Sequence, residues 1–327
     1  MHPTWRKLVH AAASTALTAF MAMQGPAAAQ EFPRGRQISF VCAFPAGSGA
    51  DIQVRYLAEK MSAIVGQIII VDNKPGAGGN IAARHVVESK PDGYTVYVHS
   101  GSATAGNMHL FKNPPFDVRT ALQPVASISR APFTLAVVTN HPAKSVRDLT
   151  EILKKKGTSA NYAASSTSAK IMGSIYKQRA GLETVEVNYR TSPESMNDMM
   201  SGRVEFASFD AAFALSQARE GRVRVLAVGS GERTKAMPDV PTMREQGVEM
   251  NHIGWWGAFV AAGTPEPIVQ QWNALFAKLL SQKEVIDFHT VIGADVFLST
   301  PKETHDLLVK TVDEWEELVR LANIPKN

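Results

Sequence analysis

The chain has 327 residues, 45% of them hydrophobic and 20% charged, with a formal net charge of +4 and a single cysteine. That length suits about two ordinary domains, and the composition excludes disordered, collagen-like and coiled-coil chains. One cysteine rules out an internal disulfide and a Cys-based structural zinc site.

Part of the basic excess lies at the N-terminus. Arg6 and Lys7 precede an apolar, small-residue stretch from Ala11 to Met23, then Gln24-Gly25-Pro26 and Ala27-Ala28-Ala29. A basic start, a short apolar run and an A-x-A site are the parts of a secretory signal peptide. The apolar run is well short of the ~20 residues of a membrane span, which argues against a retained anchor. Cleavage is expected after Ala29, giving an exported chain. Without Arg6 and Lys7, 32 basic residues remain of 34, against 30 acidic ones. No basic run that would track phosphates survives, so nucleic acid is not an expected partner. No later segment has 18 uninterrupted apolar residues, so direct membrane insertion is not expected.

In chain order, Ile38–Phe44 is a mostly apolar run flanked by Arg34, Gly35 and Pro45, the pattern of a buried parallel strand. Pro45 to Asp51 leads into a helix whose apolar Val54, Leu57, Met61, Ile64 and Val65 share one stripe. Asp51 is its expected N-cap and Gly66 its stop. Ile68–Val71 reads as a second strand, about 81–89 as a helix and Tyr94–His99 as a third strand. Together they make a β-α-β-α-β unit of the doubly wound kind. A second set begins near Phe133–Val138. Ser145 and Asp148 have capping-box spacing, and their helix stops by Gly157. A strand follows at Asn161–Ala164, a helix at about 168–180 and a strand at Val185–Tyr189. Ser192-Pro193 opens a helix, with proline at its first position, that stops at Gly202. Val204–Phe209 and Arg222–Gly229 are strands around a further helix. The third part holds a strand at Trp255–Val260, two helices after Thr264-Pro265, and a last helix running from the T-P-x-E box at Thr300–Glu303 to about Ala322. With no solenoid-period repeat and no low-complexity linker, the two α/β units read as lobes joined by strands rather than beads on a string.

Three loops stand at the carboxyl end of an expected strand and the start of a helix. The first is Pro45–Asp51, with Ala46, Gly47, Ser48 and Gly49. The second is Ser100–Thr104, with Gly101 and Ser102, and the third is Ser165–Lys170, with Ser166, Thr167 and Ser168. Ligands of open α/β sheets bind beyond the strand carboxyl ends. Small residues there let backbone N–H groups approach, and helix N-termini favour anions, so a small carboxylate is the natural occupant. The same residue types serve ordinary turns and caps; it is the equivalent placement of three loops that points to a site. Lys170 and Arg190 follow strand ends, where a cation either faces a carboxylate or is simply solvated. Asp210 either accepts a hydrogen bond from a ligand or caps the helix after it. Of Trp255 and Trp256, strand alternation sends one toward the site and one into the core.

Enzyme readings fail on the residues. Gly47-Ser48-Gly49 with Asp72 imitates a dinucleotide fingerprint, but Ile52 stands where the third glycine belongs and Asp51 would meet the pyrophosphate. Ala46–Gly49 is not G-x-S-x-G, Thr167–Lys170 only resembles S-x-x-K, and neither has a base in view. The nine histidines form no H-x-x-x-H or H-x-H cluster. His85 and His109 read as surface or loop residues, and Cys42 as a buried small hydrophobe. No catalytic residue, metal site or cofactor is expected.

Several segments carry a further signal: Phe44-Pro-Ala-Gly-Ser-Gly-Ala-Asp51, Val71-Asp-Asn-Lys-Pro-Gly-Ala-Gly-Gly-Asn-Ile81, Lys90-Pro-Asp-Gly-Tyr-Thr95, Pro142-Ala-Lys-Ser-Val146, Pro238-Asp-Val-Pro-Thr242 and Ala262-Gly-Thr-Pro265. In order, over essentially the whole mature chain, they resemble the periplasmic substrate-binding receptors of tripartite tricarboxylate transporters, the Bug or TctC family. The resemblance implies an α/β, type II periplasmic binding protein fold: two doubly wound α/β lobes joined by crossing hinge strands and closing on ligand. After a signal peptide at 1–29, lobe one takes 30–131 and 251–327 and lobe two takes 132–250. The implied ligand is a small carboxylate (a di- or tricarboxylate, an acidic amino acid or an aromatic acid). The implied partner is the set of membrane subunits of a tripartite tricarboxylate-type transporter, served by a periplasmic monomer. The family's binding positions carry over to Phe44 and the three loops, with Arg190 and Asp210. Two stretches depart from the family pattern. Ala164–Lys170 has serines and a lysine where glycines and a histidine are usual, and Val187-Asn-Tyr-Arg-Thr191 stands for V-P-Y-K-G. Lys170 is therefore expected to contact an additional ligand carboxylate directly. The alternatives are an exported binding protein serving a sensor and an exported serine-type hydrolase.

Overall fold

Two sets of three parallel strands, each closed by a long antiparallel one, organise the fold. The computed structural model describes residues 32, 33 and 35–326. The signal segment and the cleavage expected after Ala29 lie outside them. Buried β1 (Ile38–Cys42) leads into α1 (Gly49–Val65), β2 (Ile69–Asn73), α2 (Asn80–Val87) and β3 (Thr95–Ser100). β3 runs directly into α3 (Gly101–Leu110), followed by the short α4 (Val118–Ala121) and the long β4 (Leu122–Val138). The second set is α5 (Val146–Lys156), β5 (Asn161–Ala164), α6 (Thr167–Arg179), β6 (Val185–Asn188), α7 (Ser192–Met200), β7 (Phe206–Asp210), α8 (Ala211–Arg219) and β8 (Val223–Val228). The chain returns through β9 (Ile253–Ala261), α9 (Glu266–Leu280), α10 (Lys283–Val291), β10 (Asp295–Val296) and α11 (Pro301–Leu321).

The sheet order is β2-β1-β3-β9-β4-β7-β5-β6, with β8 and β10 also paired to β4. β1 is parallel to β2 and β3, and β5 is parallel to β6 and β7. β9 runs antiparallel to β3, and β4 antiparallel to β7. The same order, edge strand, first strand, third strand, antiparallel strand, is thus built twice. β4 joins the two: Leu122 to Pro132 pair with β9, while Phe133 to Val138 pair with β7 and β8.

The first half of β4 is not expected from the sequence, which suggests a strand only from Phe133. Pro124 and Pro132 interrupt the apolar pattern, and the register against β9 shifts between 124 and 126 and again between 127 and 129. Proline cannot donate to a ladder, and bulges absorb it. Other boundaries shift for capping reasons. Ser48, not Asp51, caps α1, accepting the N–H of Asp51. Thr191 caps α7, which places Pro193 second rather than first in the helix. Ser100 and Ser166 are themselves caps, so Gly101–Thr104 and Thr167–Lys170 are first helical turns and not loops. Ser145 caps α5, while the carboxylate of Asp148 takes the N–H of Lys144. The box at Thr300 and Glu303 forms in both directions. His85 is exposed on α2, a surface residue as expected, while His109 is half-buried in α3.

The core lies between the sheet and its helices. Trp272 of α9 is fully buried beside Phe40, and its indole donates to Gly93 O at 2.9 Å. The sequence places no bulky residue at position 101, and the structure gives the reason: a Cβ there would lie 2.2 Å from the Trp255 ring. Cys42 is fully buried, and burial pushes its thiol pKa up, as suits a small hydrophobe. Among the described residues no helix is long and apolar enough to cross a membrane.

Candidate functional site

β1 and β3 are parallel neighbours, so their carboxyl ends open side by side, and each leads to a helix start. A first helical turn has N–H groups with no partner inside the helix and the positive end of the dipole. Ser48 Oγ accepts the N–H of Asp51 at 3.2 Å, and Ser100 Oγ accepts that of Ala103 at 3.1 Å. Ala46, Gly47 and Gly49 are exposed, leaving backbone rather than side chains at the surface.

Asp51 shapes this segment. It is 1% exposed, and its carboxylate accepts from Gly47 N (2.7 Å), Arg55 Nε (2.8 Å) and Asn73 Nδ2 (2.7 Å). Asn73 Nδ2 also donates to Phe44 O at 3.0 Å, and Arg55 Nη2 to Asn73 Oδ1 at 2.7 Å. Burial by itself would raise the Asp51 pKa; the bonds from Arg55, Asn73 and Gly47 outweigh it and hold the carboxyl below its ordinary value. The brace therefore ties Phe44, before the loop, and Asp51, in the first turn of α1 after it, to β2.

Ser102 and Thr104 turn inward. Ser102 Oγ accepts from Trp255 N at 3.1 Å, and Thr104 Oγ1 donates to Ser100 O at 2.9 Å. Trp255 is buried, its indole donating to Thr311 Oγ1 at 3.1 Å. Trp256 remains half-buried and stacks on Phe44, with ring centroids 6.0 Å apart. His99 closes the cluster at 5.0 Å from Phe44 and 5.8 Å from Trp256. It is 2% exposed with both ring nitrogens unpartnered, and burial pushes its pKa down to about 3.

In the second half, Ser166 Oγ caps α6 through Ala169 N at 3.1 Å. Ser165 Oγ lies 3.0 Å from Ser192 Oγ, tying the end of β5 to the start of α7. Thr167 and Ser168 are half-buried in the first turn of α6. Lys170 Nζ bonds Glu186 Oε1 at 2.8 Å, and the other oxygen of Glu186 accepts from Tyr162 OH at 2.9 Å. Arg190 is exposed; its backbone N–H donates to Glu194, and its guanidinium has no ion-pair partner among the described residues. Asp210 caps α8 by accepting from Phe213 N at 2.9 Å and is otherwise exposed.

The structure thus groups Phe44, the Pro45–Ser48 loop with the first turn of α1 at Gly49–Asp51, and the Ser100–Thr104 turn on one pair of strand ends, and Ser165, Ser166 and Arg190 on another. Sequence reasoning does not find Asn73, Arg55 or His99. Their roles depend on contacts across strands, and only the i, i+4 spacing of Asp51 and Arg55 carries a local signal. Two surface cavities lie elsewhere, one of about 370 Å³ beside Gln123 and His305 and one of about 340 Å³ beside Arg130 and Asp295. Neither is lined by any of these site residues.

Comparison with known proteins agrees with this geometry. Residues 53–324 match the family described as "Tripartite tricarboxylate transporter family receptor". A UPF0065 protein of Bordetella bronchiseptica is 29% identical over 326 residues, covering 99% of this chain and 97% of its own. The R. palustris protein Rpa4515, solved with adipate, is 27% identical at a TM-score of 0.78, covering 91% of this chain and 100% of that one. The periplasmic binding protein BugD is 26% identical at a TM-score of 0.74, covering 89% of this chain and 99% of that one. With the doubled sheet order, these matches establish a periplasmic-binding-protein fold of type II, and the chain belongs to the tripartite tricarboxylate transporter receptor family, the TctC or Bug group.

Proposed function

We propose that the chain is a periplasmic solute receptor that captures a small carboxylate between two lobes and presents it to the membrane subunits of a tripartite tricarboxylate-type transporter. The observation that carries this reading is the pair of adjacent helix starts at Ser48 and Ser100, with the first pre-shaped by Asp51, Arg55 and Asn73. Two such termini favour an anion without any side-chain cation. The adipate in Rpa4515 supports a carboxylate as the occupant.

On this reading lobe one comprises 30–131 and 251–327, and lobe two 132–250. The change of β4 partners between Pro132 and Phe133, and the return of the chain at Ile253, support that division. Lobe two offers the starts of α6 and α7, the free guanidinium of Arg190 for a second carboxylate, and Asp210 for a ligand hydroxyl or amine. Lys170 reaches the ligand only as part of its pair with Glu186. Closure is a hinge transition, driven by the ligand's greater affinity for the closed form. The cycle needs no catalytic group.

A thermal-shift screen of the mature protein against millimolar aliphatic dicarboxylates, hydroxy acids, acidic amino acids and aromatic acids tests it. A ligand that binds only the folded state raises the melting temperature. A panel in which no carboxylate moves the transition overturns the reading.

A further inference from the structure

We infer that the acid taken by this receptor carries an aromatic ring, held against the face formed by Trp256 and Phe44. This rests on the carboxylate reading above and makes it narrower. Phe44 joins β1 to the short loop that ends at Ser48, the cap of α1, and Trp256 is the register partner of Ser100, the cap of α3. The two rings therefore adjoin both helix starts. They stack on each other at 26° between planes and are both half-buried, so each keeps ring surface open. The neighbouring Trp255 is 3% exposed with its indole N–H bonded inside the protein. The indole N–H of Trp256, by contrast, has no acceptor among the described residues.

The wall behind is an aromatic ring rather than a charged group. His99 packs against both rings with neither nitrogen hydrogen-bonded, and the nearby guanidinium of Arg55 is taken by Asp51 and Asn73. A carboxylate can sit at the helix starts while a flat apolar body covers the rings, by stacking or edge contact. A hydroxylated aliphatic acid would instead bring a polar group against aromatic faces, where desolvation without a partner is unfavourable. The Phe44 carbonyl is held by Asn73 at 3.0 Å and its ring packs on His99 and Trp256, so the ring needs little ordering on binding.

Titration calorimetry of the mature protein with benzoate, terephthalate, adipate and malate tests the inference. Terephthalate adds a second carboxylate for Arg190. At least one aromatic acid is expected to bind about tenfold more tightly than either aliphatic acid. Trp256→Ala should weaken that aromatic acid about tenfold, while Trp256→Phe stays within about threefold. Melting curves of both variants, with Trp256→Leu as a volume control, confirm folding. Adipate or malate binding more tightly than both aromatic acids overturns this inference and leaves the carboxylate reading standing. Aromatic binding indifferent to Trp256→Ala also overturns it. Silence from both aromatic acids overturns this inference, and only silence from the whole carboxylate panel overturns the carboxylate reading as well.

Discussion

At Asp51, a carboxylate at the mouth of an anion site serves that site by being fully engaged. An unpaired negative charge beside two helix starts would repel a carboxylate ligand; here Arg55 balances it, and Gly47 and Asn73 each donate a further hydrogen bond. Removing Asp51, the one buried member, takes a hydrogen-bond partner from Gly47, Arg55 and Asn73, and because Gly47 and Arg55 reach water the cost is about 1–3 kcal/mol. Asp51→Ala is expected to lose that much stability at pH 7 by chemical denaturation and to weaken acid binding. Because the bonds hold the folded-state pKa below its unfolded value, the contribution is complete above the ordinary aspartate range. It fades as pH falls through the folded pKa. The gap between wild type and variant should therefore narrow below about pH 4. A gap unchanged between pH 7 and pH 3 contradicts the brace. Lys170 shows the opposite logic: a cation placed by sequence at a strand end is drawn over the sheet by Glu186, two strand positions from a neighbouring end.

At the scale of elements, what could be read ahead follows from period and punctuation. The stripe of α1, the box at Thr300 and the apolar runs of β1 and β3 carry their structure locally. The front half of β4 does not, because its prolines suppress the strand signal and its stability comes from β9, some 130 residues later in the chain. The site is legible to the same degree: strand ends and caps show in the sequence, whereas the Asn73 brace and the His99 backing exist only across strands. Gly101 gives an element-level test in which two effects compete. Alanine is the better helix former by about 1 kcal/mol, yet a Cβ at 101 would meet three ring carbons of Trp255 at 2.2–2.4 Å. Overpacking of that kind costs about 1–3 kcal/mol and outweighs propensity, so Gly101→Ala should lower the melting temperature. The same variant should disturb acid binding, since α3 starts at this residue. A raised melting temperature would show that Trp255 yields.

At the scale of the whole molecule, the buried histidines dictate how stability responds to acid. His99 and His252 are both nearly inaccessible. Burial pushes His99 down to about 3 and His252 down to about 4, the latter against a bond with the Ser168 backbone that works the other way. Burial lowers His289 as well, opposed by its bond to Val285. Each is neutral when folded and free to protonate when unfolded, with an ordinary value of about 6.5. Between those limits the unfolded chain binds more protons, so stability falls as pH falls. Two such groups together give a slope approaching ~2.7 kcal/mol per pH unit below pH 6.5, from about 1.36 kcal/mol per group. Against a total of about 5–15 kcal/mol for an ordinary domain, one or two pH units decide whether the fold persists. Asp51 adds a loss of the same sign further down. Replacing one histidine isolates its share: His99→Phe keeps the ring packing against Phe44 and Trp256 and removes the titrating nitrogens. That variant should show roughly 1.4 kcal/mol per pH unit less slope between pH 6 and pH 5. Its stability at pH 7 should be unchanged or raised, because two unpartnered buried polar atoms are gone. Denaturant titrations at pH 7, 6 and 5 read both quantities. A wild-type stability that stays flat across that range would mean that His99 and His252 reach water or a partner in the folded protein.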